Sequence, residues 1–358
     1  MLRYRLSVHR SSAIVAVLAA ALAACSSDDE PTTPILPGGY NVVKLVADDA
    51  SAGATTVDAN LVNPWGLAFS GGGTLWVSNN ATHTSTLYNG AGVKQALVVA
   101  IPKSGATTGG SPTGQVFNPT TDFPINGGNK ASFIFSNEDG TIAAWNSGAS
   151  AIVVADRSTN SAVYKGLAMA SNGGANFLYA TNFKGRQVDV FDRTFKYVSS
   201  FTDASIPAGF APFGIQTING QLWVTFAKQK GPDNVDDQPG VGNGYVVIFN
   251  TDGTVAKRFA SNGKLNSPWG VVLAPAGWGS AAGNILIGNF GDGVIGAYDA
   301  TTGAFRGFLN DANKVPLSIP GLWDLRYGVG SAPATSLYFS AGPAGETHGL
   351  LGTITVIP

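Results

Sequence analysis

Charge is scarce in this chain: only 12% of its 358 residues are Asp, Glu, Lys or Arg, against about a quarter in ordinary globular proteins. It has three histidines, two methionines and one cysteine, and its glutamates are Glu30, Glu138 and Glu346 alone. So low a charge density excludes a coiled coil and an acidic disordered tail, and a formal net charge of −1 excludes a basic nucleic-acid binder. A lone cysteine excludes an intrachain disulfide. With catalytic side chains so few, fold is more legible than chemistry. Glycine is abundant instead, at 47 residues, about twice the usual share. Aromatics make up 10%, and a chain of this length buries a sizeable core.

Arg3, Arg5 and Arg10 precede an apolar run from Ala13 to Ala24. That run is well short of the roughly 20 residues that span a bilayer and has the length of a signal-peptide apolar region. Leu22-Ala23-Ala24-Cys25 resembles the bacterial lipoprotein box, which implies cleavage after residue 24, lipid on Cys25 and a membrane-held product. Ser26 resembles the sorting signal for the bacterial outer membrane, so an exported, lipid-anchored protein is expected. Removing residues 1–24 leaves 18 basic and 22 acidic residues, a net −4, so no nucleic-acid partner is expected. Residues 25–39 are polar and rich in Pro and Gly and read as the lipidated cysteine and a flexible tether.

Internal repetition organises the remainder. Six openings resemble one another: Asn63-Pro-Trp-Gly-Leu-Ala-Phe69, Asn118-Pro-Thr-Thr-Asp-Phe123, Tyr164-Lys-Gly-Leu-Ala-Met169, Ala211-Pro-Phe-Gly-Ile-Gln216, Ser267-Pro-Trp-Gly-Val-Val272 and Pro320-Gly-Leu-Trp-Asp-Leu325. Each leads into a second apolar run, such as Leu75-Trp-Val-Ser78 or Leu222-Trp-Val-Thr225, with third and fourth runs behind it. Four β-rich runs per unit of about 40 to 55 residues predict an all-β, six-bladed propeller with four strands per blade. The last unit, Pro320 to Pro358, stops after its third strand, so Tyr40 to Val46 is expected to complete that blade and remove two open sheet edges. Residues 40–358 thus read as one propeller domain, expected to be monomeric. Lys228 to Gly244 reads as a loop insertion in blade four.

On these openings, and on the turns Thr181-Asn-Phe-Lys-Gly185 and Gly288-Asn-Phe-Gly-Asp-Gly293, the chain resembles six-bladed propellers of the NHL-repeat and gluconolactonase-like (regucalcin-type) superfamily. Within that group it is similar to secreted bacterial proteins of unassigned function.

In a propeller the start of each innermost strand and the turn between its second and third strands share one face. Aligned, the openings place Gly66, Thr121, Gly166, Gly214, Gly270 and Asp324 at one inner position, preceded by Trp65, Thr120, Lys165, Phe213, Trp269 and Trp323. Glycine suits a position where strands crowd an axis. Asp324 breaks the series, either as a functional carboxylate in the channel or as a structural one bonded to neighbouring backbone. The aromatics are either inter-blade packing or the rim of a pocket. Turns add Asn80, Glu138, Asp139, Asn182, Lys184, Asn289 and Asp292, residues that also suit turns for local reasons. The ligand-binding candidates are Trp65, Asn80, Lys165, Asn182, Phe213, Trp269, Asn289, Trp323 and Asp324.

Glu346-Thr-His348 resembles the Glu-x-His pair of streptogramin-lyase-like propellers, which implies a metal and a general base, so Asp324, Glu346 and His348 are the catalytic candidates. Asp233, Asp236 and Asp237, with Asp324, are the metal candidates, through Ca²⁺ or Mg²⁺, and a solvated acidic loop is the alternative for the first three. His83 reads as a solvated turn residue. Gly291 to Gly296 spells G-x-G-x-x-G, but it has no helix after it to bind a phosphate. Two functions follow: a binding module for a small molecule, glycan, peptide or protein on the upper face, or a metal-dependent lactonase or lyase. The lactonase resemblance implies a Glu near the first inner strand, and there is none there.

Overall fold

Runs of Val, Ile, Phe, Tyr and Trp punctuated by Gly and Asn turns pair into antiparallel ribbons because extended backbone must satisfy its N–H and C=O groups between strands. The computed structural model describes residues 34–358. Its dominant elements are six sheets set as the blades of a propeller, five of four strands and one of five. Blade one comprises Pro64–Phe69, Leu75–Asn79, Thr84–Tyr88 and Lys94–Ala100. Blades three to five repeat the arrangement from inner strands Tyr164–Asn172, Phe210–Ile218 and Pro268–Leu273.

Blade six is closed as expected. Leu322–Tyr327, Leu337–Ala341 and Leu350–Val356 are completed by Tyr40–Ala47, paired antiparallel to Leu350–Val356 from Tyr40↔Val356 to Ala47↔Leu350. Tyr40 anchors the closure: it is buried, its ring stacks on Trp278 at 4.8 Å, and its hydroxyl accepts a hydrogen bond from Ala281 N at 3.1 Å. The short strand Thr56–Val57 covers the outer edge in parallel.

Both faces of each blade are buried against neighbours, so the core runs around the ring. Trp76 of blade one stacks on Phe133 of blade two at 3.9 Å, and Leu45, Leu67 and Tyr338 join blades six and one.

Blade two departs from the sequence reading. Its inner strand is Pro112–Phe117, paired to Phe133–Asn137, and not Asn118–Phe123. Asn118 instead builds a turn, its Oδ1 accepting from Thr120 N at 2.9 Å and its amide donating to Ala131 O at 2.9 Å, as Asn ahead of Pro favours. The axial residue of this blade is therefore Gly114 and not Thr121. The series becomes Gly66, Gly114, Gly166, Gly214, Gly270 and Asp324, spaced 48, 52, 48, 56 and 54 residues apart. A Cβ on Gly114 would lie 2.2 Å from Leu167 N, and one on Gly214 would lie 2.1 Å from Trp269 O. Each blade thus abuts the next, backbone to backbone.

The tether reading also needs correction where it can be seen. The expected signal, residues 1–24, and Cys25 with residues 26–33 lie outside the described residues. Pro34 to Gly39 is not free: Ile35 bridges Phe308 on the outer strand of blade five, and Leu36 is buried in the core between blades five and six.

Candidate functional site

The residues just before the axial ring face the upper end of the channel, where turns from several blades meet them. A cavity of about 500 Å³ lies there, lined by Trp65, Phe213, Phe290 and Trp323 below and by Glu138, Lys165, Lys230, Asp236, Asp237 and Glu346 around. A second cavity, of about 590 Å³, lies past the ring at the lower end, walled by apolar residues such as Leu67, Phe117, Met169 and Ile218, with Arg326.

The floor of the upper cup is a packed plug. Trp323 is sandwiched between Trp65 at 3.5 Å and Phe290 at 3.9 Å, and Trp269 meets Trp65 and Trp323 edge-on. Trp65, Phe213, Trp269 and Trp323 are each buried by this packing, Trp65, Phe213 and Trp323 also line the cavity, and Phe290 is partly open. The plug is pinned by polar atoms. Trp269 Nε1 donates to Lys165 O at 3.0 Å, and Trp323 Nε1 donates to Asn63 Oδ1 at 3.0 Å. Trp65 Nε1 is enclosed with no partner.

Lys165 stands on this floor with its side chain 3% exposed. Its ammonium lies 5.1 Å from the Trp65 ring centroid, 2.5 Å from Glu138 Oε1 and 3.3 Å from Asp236 Oδ1. Burial works against its charge, but Glu138 and then Asp236 outweigh it and hold the ammonium above the usual lysine range. Glu138 is likewise opposed by burial but held below the usual range by Lys165, and Asn80 Nδ2 donates to its Oε2 at 2.9 Å.

The remaining two acids are differently placed. Asp237 and Asp236 arrive on the blade-four insertion, which folds back on itself through Lys230 N to Asp236 O at 2.8 Å and Gln238 N to Lys228 O at 2.7 Å. Burial pushes the Asp237 carboxyl above its usual range. Asp237 Oδ2 and Ser267 Oγ are both enclosed, and neither completes a hydrogen bond of ordinary geometry. Glu346 ends a run of three left-handed residues, Ala344, Gly345 and Glu346, at φ 55°, 66° and 68°, a conformation that side-chain-bearing residues adopt only when their surroundings impose it. It accepts from Asn63 Nδ2 at 2.7 Å. Burial raises its pKa, with Asn63 and Lys165 offsetting only part and Glu138 and Asp237 adding to the rise.

The other sequence candidates fall elsewhere. Asp324, 3% exposed, accepts from Leu67 N and Leu325 N, each at 2.8 Å, and from Arg326 Nε at 3.1 Å. It is the structural carboxylate: it ties blade six to blade one where the other joints use glycine. Burial still pushes its carboxyl upward against the pull of Arg326. Asn182 accepts from Val163 N and Gly185 N, and Asn289 accepts from Asn266 N, so both brace turns. Asn80 reaches the cup only through Glu138. Asp139 binds Ser104 N and Thr141 N, Asp292 binds the Asn266 amide, and Lys184 and Asp233 are exposed. His348 turns away from Glu346, with its Nδ1 2.8 Å from Asp48 Oδ2 and 3.3 Å from Asp49 Oδ2. His83 Nδ1 lies 3.0 Å from Gly110 O.

The expected channel metal does not fit these residues. Among the described residues the one group that brings three His, Cys, Asp or Glu ligand atoms within 4.8 Å is Asp48, Asp49 and His348, not the cup and not Asp233, Asp236, Asp237 or Asp324. Asn63 was missed as a site residue, although it heads the first Asn-Pro-Trp-Gly opening. Phe290 and Lys230 were missed as well, and Phe290 stands in a quoted turn motif.

No protein-family model matches the chain. It is 32% identical over 333 residues to Uncharacterized protein R648 of Acanthamoeba polyphaga mimivirus, a match spanning 88% of this chain and 80% of that protein. It is 33% identical over 322 residues to Uncharacterized protein L690 of the same virus, spanning 84% and 82%. Among solved structures it is similar to a streptogramin B lyase, with TM-score 0.53 at 12% identity over 89% of this chain and 97% of that one. It is also similar to an α-L-arabinanase of Penicillium chrysogenum, with TM-score 0.54 at 11% identity over 91% and 99%. At such identities these structures share the propeller fold, and chemistry does not follow from it.

Proposed function

The chain belongs to the β-propeller family of the mimivirus proteins R648 and L690, and from that premise we propose that it is a binding module whose ligand site is the upper cup. The observation that carries the reading is the enclosed Lys165 ammonium, held between Glu138 and Asp236 on the floor of a cavity of about 500 Å³. That volume suits a small molecule or the tip of a glycan or peptide, and the walls come from blade two, the blade-four insertion and the strained turn of blade six. Thermal denaturation against a panel of sugars, amino acids and amines tests it, because a ligand that binds only the folded state raises Tm. A hit is expected whose shift is lost in Glu138→Gln. A hit whose shift survives Glu138→Gln and Glu346→Gln sinks the reading.

A catalytic second reading draws on one observation: Glu138 and Glu346 share the cavity with their proton affinities pushed in opposite directions, the pattern of a base and an acid. Under it, Glu346→Gln abolishes turnover of a bound ligand while binding persists. We place the module outside the cytoplasm, anchored by lipid on Cys25. The basic start, the apolar run and the box-like Leu22 to Cys25 support this. Cys25→Ala is then expected to move the protein from the membrane fraction to the soluble one.

A further inference from the structure

The cup's charges do not balance. Glu138, Asp236, Asp237 and Glu346 line one cavity with two cations, Lys165 and Lys230. The Lys165 ammonium is already shared between Glu138 and Asp236. Lys230 is exposed at the rim, and none of the cup's four acids is in an ion pair with it. Asp237 and Glu346 thus have no ion-pair partner of their own and share only the longer-range field of Lys165, in a cavity whose floor is aromatic. Two features show that this is built and not incidental. Asp237 Oδ2 is enclosed beside the Ser267 hydroxyl without a hydrogen bond of ordinary geometry, and Glu346 is carried into the cup by a left-handed turn at Ala344, Gly345 and Glu346.

Resting on the reading of the cup as a ligand site, we propose that its ligand class is a small organic cation bearing a primary aliphatic amine, received between Asp237 and Glu346. An ammonium supplies three donors and the missing charge. Its alkyl part meets Phe290, the one partly open ring of the floor, and a cation near an aromatic face gains further. A neutral polyol brings donors without charge, and an anion is repelled. Ca²⁺ and Mg²⁺ gather six or more oxygens around them, and the cup's carboxylates do not bring even three ligand atoms within 4.8 Å of one another.

The groups facing Asp237 and Glu346 are Lys165, Glu138, Asp236, Asn63 and Ser267. Because burial holds both acids above their usual range, an ammonium favours their ionised forms. Binding therefore releases protons in acid solution and tightens as pH rises toward neutrality.

Isothermal titration of the purified full chain with 1,4-diaminobutane, 1,4-butanediol and calcium chloride tests this, repeated at pH 5.5 in two buffers of different ionisation heat. Saturable diamine binding is expected, with proton release, weakened about tenfold or more in Asp237→Asn and in Glu346→Gln, the loss of one charge-assisted contact. Diamine binding unaltered by both substitutions overturns the proposal. If the diol or a sugar binds in a Glu346-dependent way and the diamine does not, the cup stands and the amine falls. If calcium alone binds and Asp237→Asn abolishes it, the occupant is a metal and the amine falls. If no probe binds in a cup-dependent way, both fall. Where a variant fails to fold, saturable binding of the diamine and not of the diol or calcium by the wild-type chain decides for a cation.

Discussion

The axis and the cup lie one residue apart along the same inner strands, yet they treat buried acid in opposite ways. Asp324 at the axis has two backbone N–H donors and a guanidinium, all within 3.1 Å. Glu346 in the cup has one side-chain amide, and Asp237 Oδ2 has only the Ser267 hydroxyl beside it, short of ordinary hydrogen-bond geometry. A carboxylate whose partners all belong to its own chain holds the fold, whereas one left short of donors awaits them from elsewhere.

The sharpest way to break that contrast is to remove the axial acid. Asp324→Ala leaves the Leu67 and Leu325 N–H groups buried and unmatched and the partly exposed Arg326 guanidinium unpaired, and is expected to cost about 3–5 kcal/mol. Asp324→Asn keeps an acceptor for Leu67 and should cost less, roughly 1–3 kcal/mol. Urea denaturation measures both, and equal costs would show that the charge and its donors do not hold the joint. In the cup the sign should reverse. Glu346→Gln removes an under-partnered carboxylate and is expected to leave stability unchanged or to raise it by up to about 1 kcal/mol at pH 7, while weakening ligand binding.

The pH dependence of that difference follows from the raised pKa of Glu346 in the fold. A carboxyl that holds its proton more tightly when folded contributes stability below its unfolded pKa and loses it as pH rises through the folded value. Wild type should therefore compare best with Glu346→Gln near pH 4 and worst near pH 7, as read from Tm across that range. The smallest effect belongs to His348, two residues on, which is half exposed and already paired to Asp48 and Asp49. Its pKa is raised by the bond to Asp48 and by both aspartate charges, so His348→Ala should lower Tm slightly below pH 6 and not at all at pH 9.

How much of this was legible beforehand differs between the same two regions. Blade number, closure by Tyr40–Ala47 and five of the six axial residues follow from local pattern, because close packing at the axis restricts each repeat in the same way. Blade two was misread because Asn118-Pro119 copies the letters of an opening while serving as a turn, and the true opening, Pro112-Thr-Gly-Gln-Val116, lacks the aromatic. The cup was legible only in pieces. Glu138 and Asp237 each have a local turn or loop explanation, Lys165 stands among the strand openings and Glu346 in a Glu-x-His resemblance, and only closure of the ring brings residues 138 and 346 into one cavity. Glu346 and His348 were read as a pair because they are adjacent in sequence, but the left-handed turn sends them to different surroundings.

The docking of Ile35 and Leu36 on the outside of blades five and six has a consequence for attachment. Residues 34–39 run along the circumference of the ring, on the outer strand of blade five and over the core it shares with blade six, so a fastening made at this segment would hold the propeller by its side. A protein coupled within Pro34 to Gly39 should keep both openings free to solutes, whereas coupling through the blade-four insertion would obstruct the upper one.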